Sequence, residues 1–312
     1  MIRRAVRRVA ETPPFTGLGI AWPWIAPWSI RSARGVAEPV PEDARPFTLV
    51  SANALGPNKR AAEFASTITA IDTDVLVVVE ASKLILDALD DVEVHRYHRH
   101  GFVEKRRRWG GCGIWSDHPM ELVETGDAGY AYIAARVSLP AGPVTVVAVH
   151  TVAPSKPGTR GPWRASFDSL VKVVGRLDGP VVAAGDYNAT MAHPPLPEFL
   201  ARTGLRDAHT AAGRGLARSW PATWWMPPLG LIDRVLVSPD ISVVSIAERA
   251  LPGTDHLAVV STLALAPSRE SARSAHRSIA TTDATAASNA GPVATRGADD
   301  ASHESRRRSP IT

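Results

Sequence analysis

Twice in this chain a short β-branched run leads into a segment of helical period and then into a second β-rich run. That repeated order restricts the fold more than any other feature. The first unit joins the apolar run 47–52 to residues 59–71, where Phe64, Ile68 and Ile71 fall at helical spacing, and then to residues 74–80, DVLVVVE. The second joins residues 144–150 to residues 163–178, with Phe167, Leu170, Val171, Val174 and Leu177 on one helical face, and then to residues 181–184. A strand, a crossover helix and a strand leave the two strands parallel, with their carboxyl ends on the same sheet edge. Asn53 and Glu80, each closing its strand, are then expected to be neighbours, and His150 to approach Asp186 and Asn188. Open sheets with parallel strands place ligands at such an edge.

Three further β-rich runs, 231–238, 242–250 and 256–265, are separated by Pro239-Asp240 and by residues 252–255. Connections this short predict an antiparallel meander, whose first and third strands run the same way. Asp233 is then expected to face Asp255 and His256, a carboxylate beside a histidine that it can orient.

The stretch 185–190, GDYNAT, ends the apolar run 181–184 in an acid and a carboxamide. Collected at the strand ends, Asn53, Glu80, His150, Asp186, Asn188, Asp233, Asp255 and His256 supply hard oxygen ligands, two imidazoles and carboxamide donors. Such oxygens suit Mg²⁺, Mn²⁺ or Ca²⁺, whereas the His-x-x-x-His spacing of zinc peptidases is absent. A hard cation can hold a phosphoryl oxygen while a carboxylate positions water, which points to phosphoester hydrolysis. Taken singly, each residue also reads as an ordinary strand-end or turn residue; their joint order is what argues for a site.

In that order, Ser51-Ala52-Asn53, Val79-Glu80-Ala81, Val149-His150-Thr151, Gly185-Asp186-Tyr187-Asn188-Ala189, Ile232-Asp233-Arg234-Val235 and Thr254-Asp255-His256-Leu257 resemble the endonuclease/exonuclease/phosphatase family. The resemblance covers residues 47–265. It implies a DNase I-like four-layer α/β sandwich, two mixed β-sheets packed face to face with helices outside, and metal-dependent phosphoester cleavage with Mg²⁺ or Mn²⁺. By the same resemblance Asn53 and Glu80 would be metal-site residues, with Asp255 supporting the metal or a second position. Asp186 would activate or orient the attacking water, and Asn188 would hydrogen-bond the phosphate. His256, paired with Asp233, would contact the scissile phosphate or serve as base, and His150 would stand at the leaving-group side. Two positions depart from the pattern: Leu55 stands where some members carry an acid, and Thr254 replaces the usual serine. The substrate implied is a phosphoester of nucleic acid, a phospholipid head group or an inositol phosphate. The alternative is a catalytically silent member that binds nucleic acid or anionic lipid.

Beyond that domain the 312-residue chain changes character. Residues 1–46 form a basic, Trp- and Pro-rich leader and linker, too proline-broken to span a bilayer but suited to an anionic membrane surface. Residues 266–312 are rich in Ser, Ala, Thr, Arg and Asp without apolar periodicity, and are expected to be a disordered tail. The net charge of +4 favours anionic partners, although much of the basic excess lies in short runs that read as solvated faces. Absence of a convincing signal segment argues for a cytoplasmic protein, with membrane association allowed by the leader; a monomer is expected. Cys112 is the only cysteine, so an intrachain disulfide is excluded, and its setting reads as the start of a buried strand. Residues 95–100 with the basic run 105–108 and Trp109 read as a polar hairpin. Trp220, Trp224 and Trp225 read as packing of a long loop, or as a substrate wall if that loop reaches the site.

Overall fold

The computed structural model describes residues 37–106, 110–223 and 225–265. The leader's Trp-rich part, the tail, the end of the 105–109 basic run and Trp224 lie outside the described residues. Among the described residues twelve strands form two six-stranded mixed sheets. The first holds β1 (Arg45–Asn53), β2 (Val75–Val79), β3 (His100–Glu104), β4 (Cys112–Ser116), β11 (Ile241–Ala250) and β12 (Leu257–Leu265) in the order β11-β12-β1-β2-β4-β3. The second holds β5 (Met120–Asp127), β6 (Ala131–Leu139), β7 (Gly142–His150), β8 (Val181–Asp186), β9 (Arg206–Asp207) and β10 (Asp233–Val237) in the order β5-β6-β7-β8-β10-β9.

Both expected crossovers are present. β1 and β2 pair in parallel around the helix Ala61–Thr69, and β7 and β8 pair in parallel around the helix Arg160–Val174. All five residues of β2 are buried, and the pleat divides them between two cores. Val75, Val77 and Val79 face the layer between the sheets, while Leu76 and Val78 face outward, onto Phe64, Ile68, Ile85 and Leu89 of the helices Ala61–Thr69 and Lys83–Asp91. In the second sheet Val182 and Ala184 face inward, whereas Val181 and Ala183 lie in the outer cluster with Phe167 and Phe199 of the helices Arg160–Val174 and Pro195–Thr203. Runs without polar alternation are what strands covered on both faces require, and each fully buried Val or Leu contributes roughly 1.5–3 kcal/mol. The result is helix, sheet, sheet, helix.

Two expectations need correction. The last three runs are not one meander: β10 lies in the second sheet, whereas β11 and β12 form an antiparallel hairpin in the first. β10 already has β8 on one edge and β9 on the other, so no position beside it is free for β11 and the chain crosses to the facing sheet. The polar hairpin also begins later than expected. β3 pairs antiparallel with β4, but Val94–Tyr97 form a single helical turn before it and His98 is buried. The Cys112 reading holds: the side chain is buried in β4, and burial pushes its thiol up to about 12.

Candidate active site

The inner faces of the two sheets are apolar along most of their length and turn polar at one edge. On β1 the inward row that contains Phe47 and Leu49 continues through Ser51 to Asn53; on β7, Val144, Val146 and Ala148 are followed by His150. On β8, Val182 and Ala184 are followed by Asp186, and on β10, Val237 and Val235 are preceded by Asp233. The period-2 geometry of a strand carries each polar residue onto the face its apolar predecessors occupy. Pairing aligns them: Asp186 is the register partner of His150 on one side and of Asp233 on the other. His256 enters from the opposite sheet, on the turn before β12.

The side chains meet there. Asn53 Nδ2 donates to Glu80 Oε1 and to Asp186 Oδ2, 3.1 Å each, so a single nitrogen marks the point where two acidic side chains converge. Backbone amides hold the rest of this corner: Leu55 donates to Asn53 Oδ1 at 3.0 Å and Gly56 to Glu80 Oε2 at 2.9 Å. Glu80 has φ of 52° and Leu55 of 55°, conformations that turn the chain sharply at the end of its strand. Leu55, the position where an acid was wanting, therefore serves through its backbone. Asp186 Oδ1 accepts from the Asn188 amide at 2.8 Å, and Asn188 Nδ2 donates to the Thr151 carbonyl at 2.9 Å and to Asp186 Oδ2 at 3.3 Å. Gly185 permits the turn: its φ is 146°, and a Cβ there would lie 1.9 Å from the Val149 carbonyl oxygen.

The Asp233–His256 pair forms across the two sheets. His256 Nδ1 lies 2.9 Å from Asp233 Oδ2 and 3.1 Å from Oδ1, and its Nε2 lies 4.0 Å from Asp186 Oδ2. Thr254 keeps the function of the hydroxyl it retains, donating to the Asn53 carbonyl at 2.8 Å and accepting from the His256 amide at 3.1 Å. Asp255 faces Trp220, whose Nε1 donates to its Oδ2 at 3.0 Å, and its Oδ1 is 3.9 Å from His256 Nε2. Trp220 itself is 41% exposed and tilted 6.3 Å from the His256 ring, so the tryptophan loop does reach the site.

Two contributors were not read from the sequence. Ser219, fully buried, accepts through Oγ from the Ile232 and Asp233 amides at 3.1 and 3.0 Å, and its carbonyl accepts from the Leu257 amide at 2.8 Å. One serine thus ties the start of the Asp233 strand to the start of the strand after His256. Tyr130 stacks on His150 with ring centroids 4.3 Å apart and planes 17° off parallel. Neither position belongs to any motif.

The Asp233 carboxylate separates the charge states of the two buried histidines. Burial lowers His256, but the Asp233 carboxylate overrides it, with Asp186 and Asp255 adding, and the ring is pushed up to about 10. It is an imidazolium at neutral pH. Burial, with the His256 charge adding, pushes His150 down to about 3. The nearest carboxylate oxygens to its Nε2, at 3.8 and 3.9 Å, lie beyond hydrogen-bond reach and do not offset this. Burial and the Asp233 charge push Asp186 up to about 7, against the opposing pull of His256 and of its amide donors. One cation, one neutral imidazole and an acid poised near neutrality in one pocket is an arrangement suited to acid–base work.

A model of the endonuclease/exonuclease/phosphatase family matches residues 50–256 of the chain. Among solved structures the chain is similar to an endonuclease/exonuclease/phosphatase from Beutenbergia cavernae DSM 12333, at 18% identity and TM-score 0.52 over 71% of this chain and 72% of that one. It is similar to a humanized D. rerio TDP2, at 15% identity and TM-score 0.55 over 70% and 98%. It is also similar to beta toxin from Staphylococcus aureus with bound magnesium ions, at 15% identity and TM-score 0.52 over 70% and 99%. These likenesses are ones of fold. No curated protein matches the sequence.

Proposed function

The chain belongs to the endonuclease/exonuclease/phosphatase family, and on that premise we propose that it hydrolyses phosphoesters with a divalent cation, Mg²⁺ or Mn²⁺, by in-line attack of water. The observation that carries this reading is the convergence on Asp186: Asn53, Asn188, His150, Asp233 and His256 all pair with it or lie within 4.0 Å of it or of its hydrogen-bond partners.

The donor set fits a hard cation. Glu80 Oε1 and Asp186 Oδ2 both reach the single Asn53 nitrogen, and a buried acid held beside a half-buried one in this way favours a positive charge between them. Glu80 and Asn53 would hold the ion, with Asp255 a candidate for a second position. When bound, the ion would neutralise charge growing on a phosphoryl oxygen. Asp186 would accept a hydrogen bond from the attacking water and orient it. The Asn188 side-chain Nδ2, whose 3.3 Å contact to Asp186 is the longer of its two, would exchange that contact for a phosphoryl oxygen. The His256 imidazolium, held by Asp233, would donate from Nε2 to the same phosphate. His150, neutral in the resting site, would donate a single N–H hydrogen bond toward the leaving oxygen rather than act as an imidazolium acid.

A panel of plasmid DNA, single-stranded DNA, sphingomyelin, inositol phosphates and bis(p-nitrophenyl) phosphate, each with Mg²⁺ and with EDTA, tests the reading and selects the substrate class. Hydrolysis of none of them with Mg²⁺ or Mn²⁺ would remove it.

A further inference from the structure

His150 is buried, yet its ring is held by almost nothing polar. Nδ1 has no hydrogen-bond partner among the described residues, and Nε2 has only the carboxylate oxygens at 3.8 and 3.9 Å. Metal and catalytic histidines are ordinarily fixed by a hydrogen bond at the second ring nitrogen, which sets both tautomer and orientation. Here that hydrogen bond is missing, and the contact that fixes the plane is the stack on Tyr130, with centroids 4.3 Å apart and an angle of 17°.

Tyr130 is well placed to hold a plane. It sits in the turn between β5 and β6, where its carbonyl accepts from the Ala128 amide at 2.9 Å and the Ala131 amide donates to the Gly110 carbonyl at 3.0 Å. Gly110 also lies against the ring: a Cβ there would come within 3.0 Å of Tyr130 Cδ1, a distance the ring could keep only by shifting. Half-buried, the ring is braced by the chain at Gly110 and stacked on His150.

We infer that Tyr130 is a positioning residue that sets the plane of the His150 imidazole by stacking, in place of the hydrogen bond that a histidine of this kind ordinarily uses. The inference rests on the proposed phosphoester hydrolysis for its catalytic consequence, but the geometry stands apart from it. The ring of Tyr130, and not its hydroxyl, is what matters. Aromatic pairs are worth up to about 1.5 kcal/mol, so loss of the stack corresponds to roughly a tenfold fall in kcat if His150 must keep its plane in the transition state.

The test is a double-mutant cycle on bis(p-nitrophenyl) phosphate with Mg²⁺, joined to an NMR reading of the His150 ring in the full chain. Tyr130→Leu should lower kcat by about tenfold with KM little changed. Tyr130→Phe should rescue most of that loss, and Tyr130→Leu should cost less than twofold when placed on His150→Ala. The Hε1 resonance of His150, identified by its disappearance in His150→Ala, should carry an upfield ring-current shift in the wild type and in Tyr130→Phe and lose it in Tyr130→Leu. Equal losses for Phe and Leu would overturn the inference, because the hydroxyl would then be the active part. So would an undiminished effect of Tyr130→Leu on the His150→Ala background, or an unshifted resonance in the wild type. If the wild type hydrolyses nothing, the functional reading fails while the resonance still decides the positioning.

Discussion

Replacing Asp233 by Asn removes the carboxylate that holds the His256 charge and leaves the shape of the site almost unchanged. His256 Nδ1 is 2.9 Å from Asp233 Oδ2, both side chains are buried, and the ring is pushed up to about 10. An unfolded histidine titrates near 6.5. A folded-state value above the unfolded one contributes stability that is complete below pH ~6.5 and is lost as pH rises through the folded value. Between those limits the native protein holds one proton that the unfolded chain has released, so stability falls by about 1.4 kcal/mol per pH unit. From pH 7.5 to 9.5 this amounts to roughly 2–3 kcal/mol. The part of the window above about pH 8 lies beyond the range in which Asp186, pushed up to about 7, titrates, and there the slope belongs to the His256 pair. Urea unfolding of the EDTA-treated wild type and of Asp233→Asn, measured across the window, isolates the pair. Cys112, pushed up to about 12, adds its own slope in both proteins and cancels in the difference. The wild type should be the more stable by about 3 kcal/mol near pH 7.5, the cost of breaking a buried pair, and the gap should close toward pH 10. A gap that stays constant with pH would refute the assignment of His256 as a buried imidazolium.

Ser219→Ala leaves two buried amides, of Ile232 and Asp233, without their acceptor; thermal unfolding should show a loss of about 1–3 kcal/mol, and hydrolysis should fall with it because the same serine sets the Asp233 strand. Gly185→Ala places a Cβ 1.9 Å from the Val149 carbonyl oxygen at a φ of 146°; a loss of about 3 kcal/mol or more by urea titration is expected, and an unchanged midpoint would contradict the close approach.

Much of the site was legible because strand geometry is local. Once residues 181–184 read as a strand, the period of two put Asp186 on the face of Val182 and Ala184, and the parallel crossover put His150 beside it. Asn53 followed in the same way from β1, and the parallel crossover put Glu80 near it; Glu80, one residue past β2 and on its outward parity, meets Asn53 at 3.1 Å through the turn at its φ of 52°. The meander failed because Pro239-Asp240 serves a hairpin and a crossing between sheets equally well. Only the occupied edges of β10 decide between them, and those are set by β8 and by β9, two residues long, far from the connection. Asp233 and His256 met all the same, for facing sheets bring their edges together as a meander would. Ser219 and Tyr130 could not be read at all: each acts through contacts with residues distant in sequence, and a serine before Trp220 or a tyrosine after Gly129 carries no pattern. Leu55 shows the converse. Its side chain suggested a missing ligand, while its backbone amide supports Asn53.

The metal-dependent phosphoester hydrolysis proposed for Asp186 and its neighbours can be measured as a rate. The most direct measurement is the initial rate on bis(p-nitrophenyl) phosphate for the wild type and Asp186→Asn, each purified through EDTA and titrated with Mg²⁺. The expected outcome is no wild-type rate without metal, a saturable rise as Mg²⁺ is added, and a loss of at least about 10³-fold in Asp186→Asn, with its circular dichroism spectrum unchanged. A rate that survives EDTA, or an Asp186→Asn protein as active as the wild type, would contradict it.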